Sequence, residues 1–158
     1  AALGGAEHVT AVDVSETALE TARANARLNG LEDRMDFLAA DVFDLLPRLE
    51  VEGCPYDFII LDPPAFTKAR KTARNALRGY KEINYRAMKL LPRGGYLATA
   101  SCSHFATEEM FVKMLHEAAR DAGRQLRQIE ARQQAADHPI LWNVEETAYL
   151  KFYLFQVI

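Results

Sequence analysis

Short apolar runs alternate with amphipathic stretches along this chain, and most of the runs end on an acid. Residues 8–14 (HVTAVDV), 35–40 (MDFLAA), 58–61 (FIIL) and 96–100 (YLATA) read as strands. Ser15 is placed to cap a helix over 16–28 that stops at Asn29-Gly30. A helical turn is expected over 42–49. A long helix is expected over 69–91, where Leu77, Tyr80, Ile83, Asn84, Ala87, Met88 and Leu91 recur on one face. Pro92-Arg93-Gly94-Gly95 breaks it. Thr107 caps a fourth helix with Glu108 and Glu109 in its first turn, and Gly123 closes it. Residues 126–131 and 149–157 read as two last strands. Strands alternating with helices predict an open, mostly parallel α/β sheet with helices on both faces. The unbroken apolar run 58–61 predicts a central parallel strand covered on both sides.

Composition narrows the function. The chain has 158 residues, 49% apolar and 26% charged, enough for one domain with a core and too ordered in character for a disordered tail. No apolar run approaches the roughly 20 residues of a membrane span. The first residues lack the basic flank and apolar stretch of a signal peptide. Two cysteines, Cys54 and Cys102, cannot build a disulfide framework, so a reducing cytoplasmic setting is expected. His104 and His138 are too scattered for a metal site, and no zinc-ligand spacing or G-x-G-x-x-G is present.

In open α/β sheets, ligands bind beyond the carboxyl ends of the strands. The first three strands end at Asp13, Asp41 and Asp62, and the fourth at Ser101-Cys102-Ser103. Asp13 suits the hydroxyls of a ribose. Asp41 with Val42 suits an adenine edge, the carboxylate taking the exocyclic amine. Each acid could instead simply cap the helix after its strand, but the set gathered on one edge favours a site. Asp62-Pro63-Pro64-Ala65-Phe66 is the sharpest local motif. Its prolines force a rigid exit from the strand and hold an acid and an aromatic at a set point. Cys102 is either a small buried residue or a nucleophile. Cys54 has no chemistry around it.

Charge is distributed unevenly. Residues 68–93 carry nine basic side chains against the single acid Glu82, a local balance of +8 in a chain of net −3, which leaves −11 for the remainder. A solvated helix face would explain this. So would a polyanion lying over the Asp62 edge, with Lys68, Arg70, Lys71 and Arg74 nearest to it.

V-D-V-S at 12–15, N-x-x-L-N-G at 25–30, L-D-P-P-A-F at 61–66, Y-K-E-I-N at 80–84, S-C-S-H at 101–104, D-H-P at 137–139 and Y-L-K at 149–151 resemble the bacterial 23S ribosomal RNA (cytosine-C5) methyltransferases. The resemblance covers essentially the whole chain. It implies a Rossmann-like S-adenosylmethionine-dependent fold and a cytoplasmic enzyme that methylates C5 of a cytosine in large-subunit ribosomal RNA. It also implies that Asp13, Val14, Ser15, Asp41, Val42 and Asp62 meet the cofactor and that Cys102 is the nucleophile, with Asp62 assisting. Pro63, Phe66 and the basic residues would meet RNA. No metal and no membrane are implied, and a homodimer stays open. Such enzymes carry a first strand with a glycine-rich cofactor loop and an N-terminal RNA-binding region of PUA type. This sequence starts about where the helix after that strand should end, so that strand is expected between those ending at Asp13 and Asp62. A guanine N-methyltransferase shares D-P-P but needs no cysteine. A non-catalytic RNA-binding module would use the basic helix alone.

Overall fold

A computed structural model describes residues 1–53, 56–66 and 73–158, with side chains of the last segment from residue 76 onward. The chain divides into two compact units, Ala1–Arg48 and Leu49–Ile158.

The first unit holds β1 (Val9–Asp13), α1 (Glu16–Leu28), β2 (Met35–Ala39) and the start of α2 (Val42–Glu52). β1 and β2 pair in parallel, from Val9 opposite Met35 to Asp13 opposite Ala39. Helix α1 begins where the sequence places it. The Ser15 hydroxyl accepts a hydrogen bond from the Ala18 amide at 3.3 Å. It ends at Asn29-Gly30, where Gly30 takes φ 64° and the Leu31 amide returns to the Ala26 carbonyl at 2.9 Å. Leu19 and Ala26, two turns apart, are its buried residues. Arg23 crosses to β2, donating to the Phe37 carbonyl at 3.3 Å with its guanidinium over the Phe37 ring.

The second unit holds β3 (Phe58–Leu61), α3 (Ala73–Leu90), β4 (Tyr96–Ser101), α4 (Glu108–Asp121), β5 (Leu126–Arg132) and β6 (Lys151–Val157). Its strand order is β3-β4-β6-β5. β3 and β4 are parallel, whereas β6 runs antiparallel to both β4 and β5. The core is built from α3 (Tyr80, Ile83, Ala87, Met88), α4 (Phe111, Met114, Leu115, Ala118), Leu97 of β4 and the inward row Tyr153, Phe155 and Val157 of β6. The Pro92–Gly95 break works as a clamp. Gly94 adopts φ 91° and donates to the Val157 carbonyl at 2.8 Å, while the Gly95 carbonyl accepts from the Val157 amide at 2.8 Å. Arg124 caps the end of α3 by donating to the carbonyls of Met88 and Lys89 at 3.1 and 3.2 Å.

The expected α/β architecture is present as a parallel β1–β2 pair and a four-stranded sheet in which β3 and β4 are parallel and β6 is antiparallel to both its neighbours. Two expectations change. β3 is an edge strand within its sheet rather than a covered central one, with Phe58 and Ile60 47% and 59% exposed on one face. Helix α2 continues through Pro47 to Glu52, past the expected end at 49. The first part of the expected long helix, 69–72, lies outside the described residues. Among the described residues no helix is long and apolar enough to cross a membrane.

Candidate functional site

In the first unit, Asp13 and the residue pair Ala39–Ala40 meet at the carboxyl end of the parallel strands, the Ala40 amide donating to the Asp13 carbonyl at 3.1 Å. Asp13 and Asp41 therefore sit at neighbouring strand ends. Each carboxylate commits one oxygen to its own turn. Asp13 Oδ1 accepts from the Ser15 amide and Asp41 Oδ1 from the Phe43 amide, both at 2.8 Å. Ser15 caps α1 and Asp41 caps α2, whereas Asp13 holds the turn before α1 by accepting from the amide of the cap residue. For both acids this coexists with a binding role, because a carboxylate has a second oxygen. Both acids are exposed, as is Val14, while Val42 at the start of α2 is half-buried.

In the second unit, Asp62 follows β3 and Cys102 follows β4, two parallel neighbours in which Leu61 lies opposite Thr99. The Asp62 and Cys102 loops therefore leave the same edge side by side. Tyr80 of α3, which has no exposed surface, packs against the Asp62 loop. Its hydroxyl donates to the Pro64 carbonyl at 3.5 Å. Burial raises the phenol above its ordinary value; the Ser101 hydroxyl opposes this, and Cys102 and Asp62 add to it. Tyr80 thus touches the electrostatics of both loops. The Phe66 ring packs against Tyr80 at 4.6 Å between centroids, so this aromatic anchors the Asp62 loop. The stack runs on through Tyr80–Phe111 at 5.7 Å and Phe111–Tyr153 at 6.2 Å. Asp62 is exposed, Pro63 half-buried and Cys102 partly accessible.

The Cys102 turn is stiff and polar. Ser101 and Ser103 are buried, and the Ser103 amide donates to Ser101 Oγ at 3.4 Å. Ser103 Oγ and Thr99 Oγ1 are buried without a hydrogen-bond partner among the described residues. Lys151, the first residue of β6, lies opposite Ser101 and sends its ammonium to the carbonyls of Ser103 and Tyr149 at 2.7 and 2.8 Å.

Much of the basic helix is already engaged. Lys81 pairs with Asp121 at 2.7 Å and approaches Glu117 at 3.8 Å. Arg86 pairs with Glu50 and Glu82 at 2.8 Å each, and Lys89 pairs with Glu50. Lys89 and Arg86 hold the Glu50 carboxyl below its ordinary value. These three cations tie α3 to α2 and α4. Lys68, Arg70 and Lys71, together with Cys54, lie outside the described residues, as does the Arg74 side chain.

A family model of S-adenosylmethionine-dependent methyltransferases matches residues 1–156. The chain belongs to this family. It is 43% identical over 159 aligned residues to a ribosomal RNA large subunit methyltransferase I of Klebsiella pneumoniae, covering all of this chain and 40% of that protein. Its identity to the protein of the same name from Pseudoalteromonas translucida is 46% over 149 residues, 94% of this chain and 38% of the relative. The chain thus spans about two fifths of the length of these curated relatives. The solved methyltransferase SMU.776, in complex with SAH, superposes with a TM-score of 0.85 at 22% identity, over 99% of this chain and 40% of its own. That likeness shows the Rossmann-like α/β fold of this methyltransferase class.

Tyr80 and Lys151 stand in the motifs Y-K-E-I-N and Y-L-K, but the motifs give neither residue a role at this strand edge. Tyr80 looks like one more apolar position on the face of α3. Lys151 carries a legible signal. It is in phase with Tyr153, Phe155 and Val157 on the inward face of a period-two strand, where a lysine is out of place.

Proposed function

We propose that the protein methylates C5 of a cytosine in large-subunit ribosomal RNA, with Cys102 as covalent nucleophile and Asp62 as its acid partner. The observation that carries this reading is the pairing of the Asp62 and Cys102 loops at the ends of β3 and β4, with the buried Tyr80 phenol bonded to the first of them. The names of the relatives support the RNA substrate.

The donor set fits the cofactor. Asp13 and Asp41 are acceptors with one oxygen each beyond the bonds to their own turns. They suit the ribose hydroxyls and the adenine amine respectively, with Val14, Ser15 and Val42 beside them. S-adenosylmethionine supplies a methyl group on a sulfonium, which leaves as the thioether. Cytosine C5 is a weak nucleophile. The Cys102 thiolate adds to C6 and makes C5 enamine-like, while Asp62 donates a proton at N3. With the cofactor held by Asp13 and Asp41, C5 activated in this way would be the nucleophile toward the methyl group that the sulfonium would supply. A base removes the C5 proton, the N3 proton returns to Asp62, the C6–sulfur bond breaks, and Cys102 leaves as a thiolate. The target base must be unstacked to reach such a pocket. Pro63, Phe66, Lys68, Arg70, Lys71 and Arg74 are assigned to the RNA side.

The test uses RNA carrying 5-fluorocytidine at the target. Fluorine blocks loss of the C5 substituent, so the intact protein should form a covalent RNA complex that disappears in Cys102→Ala. No adduct, with normal methyl transfer in Cys102→Ala, would reject the covalent mechanism in favour of direct attack by a ring nitrogen.

A further inference from the structure

Lys151 is only 8% exposed and has no carboxylate within ion-pairing distance among the described residues. Its ammonium is met by two neutral carbonyls, those of Ser103 and Tyr149. Burying a cation without an anion is costly, and an apolar residue would continue the inward row of Tyr153, Phe155 and Val157 more cheaply. The charge is also set where it can matter. Lys151 is the direct cross-strand partner of Ser101, and its Nζ reaches around to the carbonyl of Ser103, so it brackets Cys102 from both sides in sequence. Burial pushes the ammonium below its ordinary value, and the two charges that oppose this are Cys102 and Glu108. Glu108 is already engaged, accepting from the Tyr153 hydroxyl at 2.7 Å. Cys102 is the thiol carried by the turn that Lys151 holds.

We propose that Lys151 is a positioning residue: it fixes the Ser101–Ser103 turn through the Ser103 carbonyl and supplies the buried positive charge that favours the thiolate of Cys102. The proposal rests on the reading of Cys102 as nucleophile. It gives the buried lysine a purpose that packing does not. An opposite charge close to a thiol raises its thiolate fraction and so its reactivity. The carbonyl contacts hold that charge in register as the turn meets substrate.

The experiment is the rate at which iodoacetamide alkylates Cys102 in the intact protein, without RNA or cofactor. It is resolved by peptide mass spectrometry, with Cys54 as internal reference. The reaction joins the thiolate sulfur to the reagent carbon and releases iodide. Near neutral pH the rate at Cys102 should fall about tenfold in both Lys151→Met and Lys151→Gln. In Lys151→Arg, which keeps the charge, it should stay within about threefold of the parent. Gln retains a donor for a carbonyl but no charge, so a parental rate in folded Lys151→Gln overturns the proposal. If Lys151→Met fails to fold, Gln and Arg carry the comparison, and equal rates in those two overturn it. The readout needs no methyl transfer. A Cys102→Ala enzyme that remained active would therefore reject the covalent mechanism without touching the Lys151 result.

Discussion

The buried Tyr80 donates its phenol hydrogen to the carbonyl of Pro64, joining the interior of α3 to the rigid loop that carries Asp62. At 3.5 Å the bond is long, so its energy is small and its value is positional. Tyr80→Phe keeps the ring against Phe66 and Phe111 and removes only the hydroxyl. It should cost about 1 kcal/mol of stability. Methyl transfer should fall more than that predicts, about tenfold, because misplacing a reacting group is penalised steeply. Thermal melts and single-turnover methyl transfer check the two effects. A loss confined to stability would make Tyr80 a core residue and nothing more.

Local signals are legible in the sequence and non-local ones are not. Ser15 and Asn29-Gly30 mark both ends of α1 because capping is settled within a few residues. The Asp62–Cys102 pairing follows from strand order alone. The exposure of Phe58 and Ile60 does not, because whether an apolar strand is covered depends on neighbours far away in the chain. The charge count along 68–93 hides the pairing of some of those cations for the same reason. The partners of Lys81, Arg86 and Lys89 include Asp121 on α4 and Glu50 on α2, which no window on the helix contains. Asp13 and Asp41 show a further limit. Holding a turn and binding a cofactor use the same residue types, so sequence does not choose between them, and the hydrogen bonds leave room for both.

That overlap makes Asp13 separable by substitution. Asp13→Asn keeps an oxygen to accept from the Ser15 amide but loses the negative acceptor for ribose hydroxyls. Its affinity for S-adenosylhomocysteine, measured by calorimetry, should fall about tenfold with little change in melting temperature. Asp13→Ala should lose the same affinity and a few degrees of melting temperature as well, because the turn before α1 loses the acceptor for the Ser15 amide. Unchanged affinity in Asp13→Asn would remove Asp13 from the cofactor site.

Glu50 gives a pH signature. Lys89 and Arg86 hold its carboxyl below the ordinary 4.5 in the folded state. Its stabilising effect is therefore complete above the unfolded value and is lost as pH falls through the lower folded one. Glu50→Gln should melt a few degrees below the parent at neutral pH. The gap should narrow as both are acidified below the ordinary carboxylate range and the parent's carboxyl takes up its proton. A gap independent of pH would mean that Glu50 acts through packing, not charge.

The same ion pairs divide the basic residues into two groups with opposite expected behaviour. Lys81 is held by Asp121 and Glu117, so Lys81→Glu should place like charges together and lower the melting temperature. It should leave the salt dependence of RNA binding as it was. Arg70, Lys71 and Arg74 are the ones proposed to meet phosphates. Reversing all three should weaken RNA binding and flatten the slope of log affinity against log salt by about two to three, at roughly 0.7 to 0.9 for each phosphate no longer neutralised. Binding titrations between about 50 and 200 mM salt resolve a change of that size. If Lys81→Glu flattened the slope as much as the triple reversal, the positive charge of α3 would act as a diffuse field, and the assignment of a phosphate track to residues 70–74 would be wrong.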